Sequence, residues 1–370
     1  MRHLLPAKYL LPLLFLSLLL SSCKKEIEEI EIDPEITWEA HKEFMHNERY
    51  ISNLHADNDK LHVLGLYLFS TISHVGEETK VERYLHPFKN ISHDKYPINA
   101  NVFVGTEGNV LHFKSIKNPT SVGSELRIEM TTVDPDFTGF RSVSSLLKVN
   151  MAITNNNVAL VPYSAYDQEK KQYIGLRYLL VKLALDESGF YEKIVLEAAK
   201  VLKPLEDGGS MRYITAHGSD FYVSNDRGFF HISEEGKITR LMSDQIGHSV
   251  FMNKGNLKAI TWNGPHRTVS LYRASTANSW ALYQQLNGQA DMLTYHAISD
   301  NVLLGSYNSQ LFEVEIGIDT FILRELDNTG LEGNFITSIA KVNDKVYIGT
   351  QSGLFSKSEE HLLTYKEEAK

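Results

Sequence analysis

Four stretches of the chain share one pattern, and that pattern restricts the fold more than any other feature of the sequence. They are NANVFVGTEGNVLHF (99–113), SDFYVSNDRGFFHI (219–232), DNVLLGSYNSQLFEV (300–314) and DKVYIGTQSGLFSK (344–357). Each leaves a polar turn, runs through three or four β-branched or aromatic residues, reaches a small residue, crosses a short polar loop and becomes apolar again. The small residues are Gly105, Ser224, Gly305 and Gly349. Two strands of about five residues joined by a short Gly/Asn/Asp/Ser turn make a β-hairpin. A glycine at the end of the first strand lets the backbone leave the pleat.

The similarity extends on both sides. ITSIAKVN (336–343), MLTYHAIS (292–299) and MRYITAHG (211–218) are alternating apolar runs that precede three of the hairpins, and FILREL (321–326) and KITRLM (237–242) follow two of them at one offset. Four antiparallel strands recurring every 40–50 residues mark a β-propeller blade. Gly305 and Gly349 are 44 residues apart. Ser224 and Gly305 are 81 apart, room for two units, and NLKAITWNGPHRTVSLYRA (256–274) supplies the missing hairpin near Thr261. Gly105 and Ser224 are 119 apart, where NVALVPYSAYDQEKKQYIGLRYLLVKL (157–183) reads as a hairpin with a long tip. Upstream, KLHVLGLYLFSTI (60–72) fits another.

The expectation is an all-β chain: a seven-bladed propeller of four-stranded antiparallel blades. Six blades remain open if the irregular 120–200 stretch is not a blade of its own. A β-sandwich also carries hairpins, but the even spacing and three aligned strands favour the ring. The 18 Tyr and 17 Phe lean the same way, since aromatic residues favour strands. VYIGTQSGLF (346–355) resembles the two-component-regulator type of propeller repeat. That resemblance covers a limited part of the chain. It implies a propeller and does not imply a sensor kinase, because no kinase domain fits. Two segments stand outside the pattern: ITWEAHKEFMHNERY (36–50) reads as a short helix or as a strand closing the ring on the last blade, and SGFYEKIVLEAAKVL (188–202) as a helix or a fourth strand.

The N-terminus reads as an address. MRHLLPAKYLLPLLFLSLLLSSC (1–23) has a basic start, Arg2 and Lys8, then an apolar run from Tyr9 to Leu20. A spanning helix takes about 20 apolar residues, so this run reads as the core of a signal peptide. Leu20-Ser21-Ser22 precedes Cys23, the one cysteine of the chain. This tetrapeptide resembles the lipobox of bacterial lipoproteins, which implies cleavage before Cys23 and acylation of its thiol and new amino group. One acyl chain holds a protein marginally and two or more hold it firmly. KKEIEEIEIDPE (24–35) reads as an extended acidic tether. Lys24 in place of Asp departs from the inner-membrane retention signal of enterobacterial lipoproteins. The lysine-then-acidic run resembles the surface-export signal of Bacteroidetes lipoproteins, although Ile27 interrupts the acids; a plain solvated spacer accounts for it equally well. The expected organisation is a signal peptide over 1–22, a tether over 23–36 and the propeller over 37–370, anchored in the outer membrane on its periplasmic side or at the cell surface.

Charge and motifs restrict function. The formal charge is −9, and loss of Arg2 and Lys8 on processing makes it −9 − 2 = −11. Such a surface repels nucleic-acid phosphates, so no nucleic-acid partner is expected. With one cysteine no intrachain disulfide forms, and stability rests on packing. There is no G-x-S-x-G, no H-E-x-x-H and no phosphate-cradling glycine loop; DGGS (207–210) reads as a turn. Eight of the fifteen histidines lie between His41 and His112, without the His-x-His or i, i+4 spacing of ligands on one element. No cofactor, metal or catalytic residue is assigned, and the histidines are expected to pack.

A binding surface is the stronger expectation. In propellers the loops joining second and third strands share one face with the loops between blades. The residues these tips offer are Glu107, Asn225 and Arg227, Trp262, His266 and Arg267, Tyr307 and Asn308, and Gln351, with Tyr163, Tyr166 and Tyr173 on the long tip. Exposed Trp, Tyr and Arg anchor binding sites, although hairpin tips carry polar residues in any protein and Trp262 also suits packing between blades. The leading expectation is an outer-membrane lipoprotein that binds a protein or a glycan without catalysis. The alternatives are a propeller hydrolase or lyase acting on polysaccharide or peptide, and a structural subunit of an envelope assembly.

Overall fold

The computed structural model describes residues 37–45, 50–66, 68–75, 78–85, 96–141, 150–167, 169–188, 192–202, 210–263, 266, 268–286, 289–331 and 333–366. The signal segment, Cys23, the tether and Arg267 lie outside the described residues. Seven antiparallel sheets follow one another along the chain, and the protein is a seven-bladed β-propeller. Blade 1 comprises Ile51–Asp57, Lys60–Gly65, Leu68–Val75 and Glu78–Leu85. Blade 2 comprises Val102–Glu107, Val110–Ser115 and Glu125–Glu129, with a bridge from Ile98 to Phe103 in place of an inner strand. Blade 3 is built from Ala152–Ile153, Val158–Asp167, Gln172–Asp186 and Lys193–Leu202.

Blade 4 is Met211–His217, Asp220–Asn225, Gly228–Ser233 and Ile238–Ser243. Blade 5 is Ile246–Asn253, Asn256–Asn263, Thr268–Thr276 and Ser279–Leu286. Blade 6 is Thr294–Ala297, Leu303–Tyr307, Gln310–Ile316 and Phe321–Glu325. Blade 7 takes Ile336–Val342, Lys345–Thr350 and Gly353–Ser358 from the end of the chain and Glu39–Ala40 from its beginning. Glu39 faces Ser356 and Ala40 faces Phe355. The 36–50 segment therefore does both things its sequence allowed: it closes the ring and then forms a 3₁₀ turn over Lys42–Phe44. Lys193–Leu202 is the fourth strand of blade 3, not a helix.

The tight turns between first and second strands follow from local chemistry. Asn58, Gly218, Lys254 with Gly255, and Asn343 take positive φ there, the conformation that two-residue hairpin turns of the matching twist require and that Asn and Gly tolerate. The core is divided among the seams between blades. Ile214, Phe221 and Phe230 pack blade 4 on Tyr178 and Leu180 of blade 3. Phe251 and Leu271 of blade 5 meet Tyr295 and Leu303 of blade 6. Ile51 and Val63 of blade 1 meet Tyr347 and Leu354 of blade 7.

Gly349 and Ser224 sit where the next blade begins, whereas a β-carbon on Gly305 would meet Leu293 and Val314 of its own blade. A β-carbon on Gly349 would lie 2.7 Å from the Ile51 side chain, across the seam that closes the ring. The Ser224 hydroxyl accepts the Gly247 N–H at 2.8 Å, tying blade 4 to blade 5. Opposite these positions the inner strands of blades 1, 4, 5 and 7 are bulged, at Ser52, Arg212, His248 and Thr337. A bulge sharpens twist, which suits a strand crowded against the axis.

Blade 3 departs from the pattern. Its central hairpin is long, and an added strand, Phe137–Phe140, pairs with Tyr163–Ala165 beyond the end of Ala152–Ile153. No helix among the described residues is long and apolar enough to cross a membrane.

Candidate functional site

The hairpin tips mostly serve the ring. Asn225 is buried, and its side-chain oxygen accepts the Arg227 N–H at 2.8 Å, which shapes the tip and leaves the Arg227 side chain exposed. The Asn308 carbonyl accepts the Ile336 N–H at 2.8 Å, and the Gln351 N–H reaches the Phe335 carbonyl at 3.1 Å, so both tips hold the chain entering blade 7. Trp262 is half-buried and packs on the apolar cluster between blades 5 and 6. Glu107 lies 3.9 Å from the buried His112, which is itself 2.6 Å from Glu125. Tyr307 and His266 are exposed. On the long tip Tyr163 is fully buried, its hydroxyl donating to Asp134 at 2.5 Å beside an Arg177–Asp134 ion pair of 2.7 Å. It anchors the insertion, and of that tip's three tyrosines only Tyr173 is well exposed. The described tip residues are spread over separate local settings and line no common pocket among those described.

The inner strands of blades 4, 5 and 6 instead form a cavity of about 400 Å³ in the channel wall. It is lined by Tyr213 to His217, His248 to Met252 and Leu293 to Ala297. The local reason is alternation: along a strand successive side chains face opposite ways. Ile214 turns into the seam with blade 3, which leaves Tyr213, Thr215 and His217 on the side of blade 5. Three of the polar side chains here, Tyr213, His217 and Tyr295, are engaged with the main chain. His217 Nε2 contacts the Val250 carbonyl at 2.9 Å, the Val250 N–H donates to the Tyr213 hydroxyl at 3.0 Å, and the Tyr295 hydroxyl donates to the Ala290 carbonyl at 2.7 Å. His296 Nε2 lies 3.2 Å from the Ser306 hydroxyl. Burial pushes His217 below its ordinary value, only partly offset by the Val250 hydrogen bond, so at neutral pH it is an uncharged group. Phe251 stacks on Tyr295 at 4.9 Å and makes one wall apolar. Among the described residues lining the cavity there is no carboxylate. No group of three or more His, Cys, Asp or Glu among the described residues is arranged to hold a metal ion.

These channel residues escaped the sequence reading, which looked at the tips. A signal was present: His217 and His296 sit in MRYITAHG and MLTYHAIS, the runs identified as preceding the hairpins, and the first strand of a blade is the one at the axis.

No protein-family model matches the chain, and no curated protein matches it in sequence. Solved structures do match. A catalytically inactive histidine-to-alanine variant of virginiamycin B lyase from Staphylococcus aureus, solved with quinupristin, is similar with a TM-score of 0.54 at 11% identity, over 86% of this chain and 97% of that one. Selenomethionine-substituted virginiamycin B lyase gives 0.51 at 12% identity, over 85% and 96%. The extracellular domain of BT4673 from B. thetaiotaomicron, described as a one-component system, gives 0.51 at 12% identity over 87% of this chain; the match spans 40% of that chain. At such identities the likeness is one of fold.

Proposed function

We propose that this chain is a ligand-binding propeller of the bacterial envelope, tethered to the outer membrane by a lipid on Cys23, that takes a protein or glycan ligand into its channel without catalysis. The observation that carries the reading is the channel cavity. It has the size of a small-ligand or side-chain pocket, one aromatic wall, and hydrogen-bonding groups whose strongest donors are already held by the main chain. Groups committed in this way position a ligand rather than move its protons. The likeness in fold to an extracellular domain agrees with a place outside the cytoplasm, and the lipobox-like Leu20-Ser21-Ser22-Cys23 supplies the means of attachment.

The test is capture from a native envelope extract and from a glycan array. Ala297 is exposed and lines the cavity, so Ala297→Trp blocks the channel at little cost to folding. Ligand recovered by the wild type and lost in this variant supports the reading; undiminished recovery by the variant overturns it. Cys23→Ala is expected to move the protein out of the membrane fraction.

A second reading, a lyase or hydrolase, draws on His217, His248 and His296 in the channel wall and on a similar structure whose histidine-to-alanine variant is catalytically inactive. Substrate turnover lost on replacing any of the three by alanine, with folding intact, would favour it.

A further inference from the structure

We infer that the seam between blades 4 and 5 holds a second subsite, for an ammonium or guanidinium group, with Asp220 as its counter-charge. The inference rests on the channel reading above and adds the chemistry of one end of the ligand.

A cleft of about 480 Å³ opens at this seam, on the face carrying the turns between first and second strands. His217, Asp220, Tyr222, Met252, Asn256 and Thr276 are among the residues around it. His217 and Met252 also line the channel cavity, so the two spaces share a wall and one ligand can reach both. Asp220 is the single charged residue lining the cleft; no lysine or arginine does.

Its carboxylate is held from behind. His231 Nε2 lies 2.6 Å from Asp220 Oδ1, with the histidine side chain 4% exposed and the carboxylate 27% exposed. An ionised carboxylate only accepts, so Nε2 is the donor, and Oδ2 is left for a second partner. The other ring nitrogen, Nδ1, is buried and has no partner in the protein. A buried unpaired nitrogen costs stability; what the molecule keeps in exchange is a fixed, partly exposed negative charge at the mouth of a cleft. A ligand with an apolar part against Phe251 and Met252 and a cationic end at Asp220 fits both spaces. Free amines and the Lys or Arg side chains of a protein partner offer the same chemistry.

The full chain is titrated with phenethylamine and with a blocked Ala-Lys-Ala peptide, each against its N-acetylated neutral counterpart, following the amide resonances of Gly218 and Gly255. The expected result is binding of at least one cation with a Kd at least tenfold tighter than its neutral form, shifts at both glycines, and at least tenfold weakening in Asp220→Asn. Binding by phenethylamine alone assigns a small amine, and binding by the peptide assigns a protein partner. Equal binding of neutral and charged forms, unchanged affinity in Asp220→Asn, or no binding in either arm overturns the inference. If Asp220→Asn does not fold, the neutral-against-charged comparison on the wild type decides. Cation binding that persists when Ala297→Trp leaves envelope-ligand capture undiminished keeps this subsite while the channel reading falls; ligand capture that is lost in Ala297→Trp but survives Asp220→Asn does the reverse.

Discussion

Gly349→Ala is the sharpest probe of how the ring closes. The new β-carbon would sit 2.7 Å from Ile51 Cγ2, 3.2 Å from Ile51 Cβ and 3.3 Å from Thr337 Oγ1. Ile51 is fully buried, and the Thr337 hydroxyl is tied to the Ile51 carbonyl at 2.5 Å. Neither neighbour can yield without moving the start of blade 1. Overpacking of this kind costs about 1–3 kcal/mol. With an unfolding entropy of about 2.1 cal/mol/K per residue over the 288 described residues, that cost lowers Tm by about 1.7–5 °C. Gly305→Ala is the control. Its β-carbon would meet Leu293 Cδ1 at 3.0 Å and Val314 Cγ2 at 3.1 Å, both ends of side chains that can turn aside, so its loss should be under about 1 kcal/mol. Ile51→Ala combined with Gly349→Ala should cost less than the sum of the two by about 1 kcal/mol or more, since the partner of the clash is gone. Chemical denaturation of wild type, Gly349→Ala, Gly305→Ala, Ile51→Ala and the double variant measures all three quantities. A Gly349→Ala protein as stable as wild type, or a Gly305→Ala protein that loses more, would refute the claim that Gly349 is small in order to admit blade 1.

Two further outcomes follow from burial and from the closing strand. His62 is buried; burial above all, with the nearby His55 and Lys60 charges, brings it from 6.5 to about 4. The unfolded chain binds a proton that the folded one refuses, so stability present above pH 6.5 is lost as pH falls towards 4, on the order of 3 kcal/mol; His62→Phe should flatten a denaturation-against-pH curve across that window, and an unchanged slope would contradict it. His41→Pro removes the N–H that donates to the Leu354 carbonyl at 2.9 Å at the end of the closing strand and should lower Tm by several degrees with the fold retained; a neutral result in calorimetry would mean that Trp38, buried against blade 7, closes the ring without the strand.

The blade count was legible because a blade is a local object. Each hairpin needs a turn residue, two alternating runs and a small end residue, all within some fifteen positions, and the sequence repeats them with spacing that counts to seven. Blade 3 was legible only as a long hairpin: Phe137–Phe140 joins it from 23 or more positions away, and nothing in its composition names its partner. The candidate site was poorly legible. Asn225, Asn308 and Gln351 read as ligand-facing because tips are exposed by default; the Asn225 side chain bonds within its own tip, and the main-chain groups of Asn308 and Gln351 bond the segment entering blade 7.

What the sequence determined by itself was the repeating unit and the all-β class, because turn geometry and side-chain alternation are fixed by neighbours in the chain. Only the tertiary structure decided which residues meet. Glu39 finds Ser356 across more than 300 positions, His217 of one blade meets Val250 of the next, and Asp220 stands against His231 at the edge of a cleft. Those contacts depend on how each blade is turned about the axis, and that angle is set by packing at all seven seams together, which no single stretch of sequence encodes.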